Sequence, residues 1–521
     1  MRKIKTSDFL KGTLSLSLSV IITKIIGVAF KVPLSYVLGD VGMGYFNTAY
    51  AIYGFFYILC TAGVPKSMTL ILAGHGLSET DRADREYILI CALRLFAVIG
   101  AFVTLINLIC APVFAAFVGN RKAYLSIAAV APSIFFVSLS GVLRGYMNSA
   151  EKLTQIAFSQ LLEGIVKLVF GLVLAFIGVK ISASVSVISA LAISGITLGS
   201  IASFIHLMAS AFSENTRKKS RQKCNLDRKY IGRQITKNAL PIAVSSSLLN
   251  LSSTLDLTII IKRLVSSGMS ETYANALYGN YTTLAVPMFT LVISVLSPIA
   301  TSYMPRLSKI AIRGDRREFM SEFNKLLSVT LFISVPASLA FYFYSFDLLD
   351  VLFSVQSSAV GADMLIYLSF GVCLLACLTV VNTALESQGR IAITVFSLLT
   401  GTVVKFLVSY ALIGRGELGI LGAPIGTVLS YAVSLIISIF ALERSGIKAY
   451  VLLKLILLYG VGIICFYPPY NAIYSTGFLD TSFASMLLSA GLSCLTYFLF
   501  AFCMHKIKSS VRMLNLHKSN I

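Results

Sequence analysis

Long runs of apolar residues follow one another along almost the whole chain, broken only by short polar stretches. About 20 such residues in a helix cross the hydrocarbon layer of a bilayer. The pattern therefore predicts fourteen helical spans, at 10–38, 44–64, 86–118, 123–146, 155–178, 182–211, 237–262, 276–303, 326–353, 363–386, 391–414, 419–443, 449–468 and 482–505. The expected fold class is all-α, a polytopic membrane protein. The run at 10–38 reads as a first retained span. Its apolar part is too long for a leader, Lys24 interrupts it, and no clear small-residue cleavage site follows.

The polar breaks alternate in character. Those after odd-numbered spans are short and nearly neutral, such as GDVGMG and SVQSSAVGAD. Those after even-numbered spans are basic, such as SENTRKKSRQKCNLDRKYIGRQITKN and RLSKIAIRGDRREF. Lys and Arg in loops and tails number about thirty on one side and about six on the other. Cytoplasmic loops gather these residues, so both termini, and Cys224 in the central basic break, are expected in the cytoplasm.

The chain also echoes itself. FSQLLEGIVKLV, from Phe158, and FSLLTGTVVKFL, from Phe396, share F-S-x-L-x4-V-K and place Lys167 and Lys405 in register. GMGYFNTAYAIYG, from Gly42, and GMSETYANALYG, from Gly268, match with one gap. Both offsets equal six spans, an even number, so the halves share one orientation. The expected organisation is an N-terminal lobe over 1–212, a basic linker over 213–236, a C-terminal lobe over 237–445, and an appended pair of spans with a basic tail over 446–521.

Composition narrows the function. Of 521 residues, 57% are hydrophobic and 12% charged, too little polar surface to cover a soluble protein of this length. The formal charge of +21 lies mostly in loops, where the anionic inner leaflet is the expected neighbour rather than nucleic acid. Nine cysteines include no CxxC pair, and Cys373 and Cys377 have no nearby His or carboxylate. The four histidines are scattered, and His206 reads as a packed or hydrogen-bonded group. No P-loop, HExxH or Ser/His/Asp grouping appears. The chain reads as a non-enzyme, without cofactor or metal.

The charges inside predicted spans carry the chemistry, because a lysine near the bilayer centre costs roughly 3 kcal/mol on insertion scales. Lys24 and Lys31 lie two helical turns apart on one face of span 1. Lys24 sits too deep to reach the interface, and Pro33 is expected to bend the helix after Lys31. Glu163 precedes Lys167 by four residues, the favourable order for an ion pair on one helix. Such a pair either neutralises itself or faces a cavity. Lys405 has Gly401 where Lys167 has Glu163, so it lacks that in-helix acid. Asp256 lies alone in span 7 and is expected to meet a lysine across the cleft, and Arg94 in span 3 reads either in the same way or as stabilising its lobe. Arg144, Glu386, Lys262 and Arg263 lie near span ends and read as interface anchors. Lys24, Lys31, Arg94, Lys167 and Lys405 are thus candidate substrate ligands, and Asp256 and Glu163 candidate charge partners or ion-coupling groups. The excess is positive, which favours an anion such as phosphate.

TKIIG at 23–27, LRGYMNSAEKLTQIAFSQLLEGIVK at 143–167, ALYGNYTTLAVPM at 276–288 and ESQGRIAITVFSLLTGTVVK at 386–405 carry a resemblance. With them the chain resembles stage V sporulation protein B-type polysaccharide transporters, a branch of the superfamily that also holds the lipid II flippase and the multidrug and toxic compound extrusion antiporters. The resemblance covers nearly the whole chain. It implies fourteen helices in two lobes, alternating access, and flipping of undecaprenyl-pyrophosphate-linked sugars across the plasma membrane. Flippases of the family carry basic residues in the first helix, where Lys24 falls and which Lys31 matches approximately. Relatives with lipid II activity place an arginine in span 2, whereas residues 45–64 here hold no charge, which points away from lipid II.

The leading expectation is a plasma-membrane flippase for a lipid-linked anionic oligosaccharide, working as a monomer among membrane lipids, with a monovalent ion as an open coupling partner. A cation-coupled drug exporter of the same superfamily and a non-transporting scaffold are the alternatives.

Overall fold

A computed structural model describes residues 6–61, 64–65, 67–68, 82–150, 152–212, 233, 256–353, 355–442, 448–476 and 484–500. Cys224, most of the 213–236 linker, the first part of predicted span 7 and the tail after 500 lie outside the described residues. Those described are helical almost throughout: α1 (Thr6–Thr61), α2 (Arg82–Ile109), α3 (Ala111–Val118), α4 (Tyr124–Ser149), α5 (Leu153–Lys180), α6 (Val185–Phe212), α7 (256–266), α8 (Glu271–Asn280), α9 (Val286–Arg313), α10 (Arg316–Phe343), α11 (Ser345–Asp350), α12 (Val355–Ser387), α13 (Ile391–Leu412), α14 (Gly422–Ala441), α15 (Lys448–Thr476) and α16 (484–500). Among the described residues, 11 helices are long and apolar enough to cross a membrane, and a shorter apolar one covers Ala484–Phe500. The protein is an all-α, polytopic membrane protein.

α1 is counted once among these, yet Gly39 divides it into two arms. Its φ of 62° and ψ of 179° turn the chain between them, a conformation that favours glycine. Pro33 lies inside the first arm, and the break falls at Gly39, in the gap between the predicted spans 10–38 and 44–64. Predicted span 3 is also divided: α2 ends at Ile109, and Pro112 opens the short α3.

The chain forms two compact units, Met1–Thr283 and Leu284–Ile521. In unit 1, α5 and α6 approach closely because glycines face each other. A Cβ on Gly195 would lie 2.6 Å from the Gly171 Cα, and one on Gly199 would lie 2.6 Å from the Glu163 carbonyl. Small residues let backbones approach in this way inside membranes, where helix association has no hydrophobic drive of its own. The apolar core at one end joins Ile88, Leu89, Val142, Leu143 and Leu207.

In unit 2 the same device brings α13 against α14: a Cβ on Gly401 would lie 2.7 Å from the Ser430 carbonyl. Phe323, Leu327, Leu331, Cys377, Val381, Leu385 and Leu435 form its core. Two buried carboxylate oxygens matter there. Glu322, 3% exposed, takes Arg306 at 2.9 Å and Lys325 at 2.8 Å on Oε1, while Oε2 has no partner among the described residues.

Candidate functional site

The first part of the site is a polar junction at the second arm of α1. Gly119 ends α3 in the left-handed conformation, with φ 85°, and the chain then turns through Arg121–Ala123. That turn delivers Asn120, which is fully buried. Its amide donates to Thr48 Oγ1 at 2.8 Å and to Asn275 Oδ1 at 2.7 Å. Asn47 donates to Thr283 Oγ1 at 2.7 Å, and Asn280 to Asp40 at 3.2 Å. The backbones are tight as well: a Cβ on Gly44 would collide with the Asn275 carbonyl, and one on Gly279 would lie 2.5 Å from that of Asp40. Residues 42–54 and 268–279, the second echo in the sequence, thus pack on one another.

After α8 the helix widens into a π-helical turn, Tyr281–Ala285. Such turns disturb the regular ladder and recur at functional sites. Lys31, from the first arm of α1, donates to the Thr282 carbonyl at 2.9 Å. This lysine is therefore held by backbone in the present conformation.

The second part is a charged pair inside unit 1. Glu163 does not pair with Lys167. It accepts from Arg144 of α4 at 2.8 Å, and Arg144 also donates to Ser203 of α6 at 3.1 Å. Tyr57 lies beside Arg144 and interacts with it electrostatically. The side chains of Arg144 and Glu163 are 14% and 23% exposed, so Arg144 is no interface anchor. The in-helix pair loses because it is worth only a few tenths of a kcal/mol. A guanidinium from a neighbouring helix supplies a stronger charge-assisted bond.

Lys167 is left without a carboxylate among the described residues. Its ammonium sits 5.8 Å from the centre of the Phe30 ring, a cation–π contact. From Phe30 a row of rings continues along the second arm of α1. Phe30 to Phe46 measures 5.8 Å between centroids, Phe46 to Tyr50 6.3 Å, Tyr50 to Tyr53 6.1 Å and Tyr53 to Tyr57 5.6 Å. The row starts at one cation and ends at another, Arg144.

The remaining candidates are scattered. Lys24 lies in the first arm of α1, and its side chain is outside the described residues. Arg94 is exposed on α2 and makes no hydrogen bond or ion pair among the described residues. Asp256 opens α7, partly buried, and acts electrostatically on Tyr278 of α8. In unit 2, Lys405 is partly buried on α13, and its carbonyl faces Gly426 of α14 as the Lys167 carbonyl faces Gly195 of α6. Lys262 stands 4.6 Å over the Phe117 ring, and His206 is hydrogen-bonded to Gln155 at 3.2 Å.

The model of the family described as polysaccharide biosynthesis protein matches residues 9–311. The chain belongs to this family. Stage V sporulation protein B of Bacillus subtilis (strain 168) is 23% identical over 428 residues, covering 81% of this chain and 80% of that protein. The lipid II flippase MurJ of the same strain is 23% identical over 468 residues, covering 86% and 85%. Among solved structures, the lipid II flippase MurJ in its inward closed conformation superposes with TM-score 0.71 at 17% identity, covering 94% of this chain and 98% of that one. An inward-facing multidrug resistance MATE family transporter of the MOP superfamily gives 0.64 at 13%, covering 84% and 98%. The polysaccharide biosynthesis family member described here thus has a transporter fold and not that of an enzyme.

The sequence missed the asparagine junction and misplaced Arg144. Two signals were present: the echo at 42–54 and 268–279 marks the junction, and the spacing of Tyr50, Tyr53 and Tyr57 puts three phenols on one helix face.

Proposed function

We propose that this protein is a flippase that moves an undecaprenyl-pyrophosphate-linked oligosaccharide across the plasma membrane by alternating access. The observation that carries the proposal is Lys167. It lies midway along α5, about 20 Å from either end, with an aromatic ring and no carboxylate against its ammonium among the described residues. A cation kept at that depth favours an anionic ligand. Lys24 and Lys31 are proposed to join it in holding the pyrophosphate, Lys405 is proposed as a substrate ligand of the second repeat, Arg94 as one on the approach, and Asp256 and Glu163 as charge partners. The family match and the resemblance to flippases in sequence and fold support this reading. Fourteen spans are proposed, as two six-span repeats and an appended pair, with both termini cytoplasmic.

The test is transport of a fluorescent lipid-linked oligosaccharide in proteoliposomes. Lys167→Met removes the charge and keeps the stem, so the protein should accumulate and fold normally while flipping falls at least about tenfold. Lys167→Arg should keep part of the rate, since the charge remains and the geometry changes. Lys167→Met that flips at the wild-type rate would overturn the proposal.

A further inference from the structure

Tyr50 is the anomaly in the ring row. It lies midway between Gly39 and Thr61, about 16 Å from either end of that arm. It is nevertheless 43% exposed, and its hydroxyl has no hydrogen-bond partner among the described residues. Tyrosines that face lipid gather at the membrane–water interfaces, where the hydroxyl stays wet. A bare phenol facing lipid at mid-depth leaves a polar group unsatisfied in hydrocarbon.

The surroundings are those of a binding face. Gly54, one turn on from Tyr50, has nothing within 4 Å of where a Cβ would stand. Open space therefore adjoins the helix beside Gly54, next to the exposed Tyr50. Tyr53 packs against the Tyr50 ring at 6.1 Å and is itself 6% exposed. Tyr57 follows, beside Arg144, whose partner Glu163 is still 23% exposed. The strip thus offers a flat aromatic platform, then hydroxyl, guanidinium and carboxylate edges. It carries no excess charge of its own, because Arg144 and Glu163 neutralise each other.

We infer that Tyr50, backed by Tyr53 and continued by Tyr57, Arg144 and Glu163, is the platform for the sugar part of the substrate. A pyranose presents a face of C–H groups and a rim of hydroxyls. Aromatic faces suit the first, and fixed polar edges suit the second. An isoprenoid tail would have no use for the polar edges, and a pyrophosphate would find no net positive charge there. The position also fits: the first sugar is bonded directly to the pyrophosphate, and Tyr50 stands three ring contacts from Lys167 through Phe46 and Phe30. This inference rests on the flippase reading and adds the residue that distinguishes a glycosylated carrier from a bare one.

The chain contains no tryptophan, so Tyr50→Trp creates a single reporter that keeps an aromatic platform. Two probes separate sugar from phosphate: undecaprenyl pyrophosphate, and the same carrier bearing an N-acetylhexosamine disaccharide. The indole emission of that variant should change on binding the glycosylated probe and stay nearly constant with the bare one. Tyr50→Ala opens no core cavity and should fold normally. It should bind the glycosylated probe about tenfold more weakly, and the bare probe as wild type does. Tyr50→Phe should fall between, since the ring remains. Should Tyr50→Ala bind both probes as wild type does, the inference is overturned and the flippase reading stands. Should wild-type protein bind neither probe, the flippase reading fails and the sugar platform fails with it.

Discussion

Arg144→Met tests the energetic core of unit 1. Removing the arginine strands the Glu163 carboxylate, about 15 Å into α5, without its counter-charge. The expected loss of stability is about 3–4 kcal/mol, within the range for breaking buried pairs. Glu163→Gln should cost less, about 1–2 kcal/mol, because Arg144 keeps Ser203 and Tyr57. The double variant should return to within about 1 kcal/mol of wild type, since an uncharged pair of similar size carries no desolvation penalty. Unfolding in mixed detergent–SDS micelles, followed by far-ultraviolet circular dichroism, measures all three. Additive single effects in the double variant, or an Arg144→Met loss under about 1 kcal/mol, would refute the argument.

Asn120→Leu removes the two bonds by which Asn120 bridges Thr48 of α1 and Asn275 of α8, and leaves the Asn275 oxygen short of a donor. A loss of about 1–3 kcal/mol is expected, with faster hydrogen exchange across residues 271–283. Unchanged exchange there would mean that the Asn280–Asp40 and Asn275–Val41 bonds and the glycine contacts suffice to hold the junction. Lys31→Met uncaps the Thr282 carbonyl in the π-helical turn, so exchange should rise over residues 281–285 while residues 185–212 stay protected. Lys31→Arg should restore most of that protection, because a donor remains within reach.

The helices were legible because hydrophobic runs of membrane length leave little choice of structure. Their interruptions were legible only in part. The GDVGMG break opens with Gly39, and α1 turns there, in the predicted gap between the first two spans. α8 begins before predicted span 8 because Ser270 accepts the Tyr273 amide at 3.2 Å and caps it. That cap sits in a polar stretch that hydropathy discards. The site divides in the same way. Depth is a one-dimensional property, so Lys167 and Glu163 stood out as intramembrane charges. Partnership is tertiary. Which helix supplies the counter-charge to Glu163 depends on how α4, α5 and α6 cross, and spacing along α5 favoured the wrong cation. Asn120 and Asn275 fall in the polar breaks between predicted spans, where a polar residue does not stand out, although burial makes their bonds consequential.

Arg144, Lys31 and Lys167, all in unit 1, differ in what offsets them, and the difference bears on function. Arg144 is neutralised by Glu163. Lys31 gives a hydrogen bond to the Thr282 carbonyl, a dipole that solvates its charge without cancelling it. Lys167 has the Phe30 ring, which a desolvated cation values at about 2 kcal/mol. Holding a lysine near the bilayer centre costs about 3 kcal/mol on the most lenient scales and several times that in others. The ring thus falls short even at the lower figure, and nothing else in α5 makes up the deficit, since its one nearby carboxylate is committed to Arg144. A helix under selection for stability alone would replace Lys167 with leucine or methionine. On the flippase reading, the missing stabilisation arrives with the anionic headgroup. The site is then strained when empty and relieved when occupied, and the binding energy of the phosphate is drawn from a charge the fold leaves without a counter-ion.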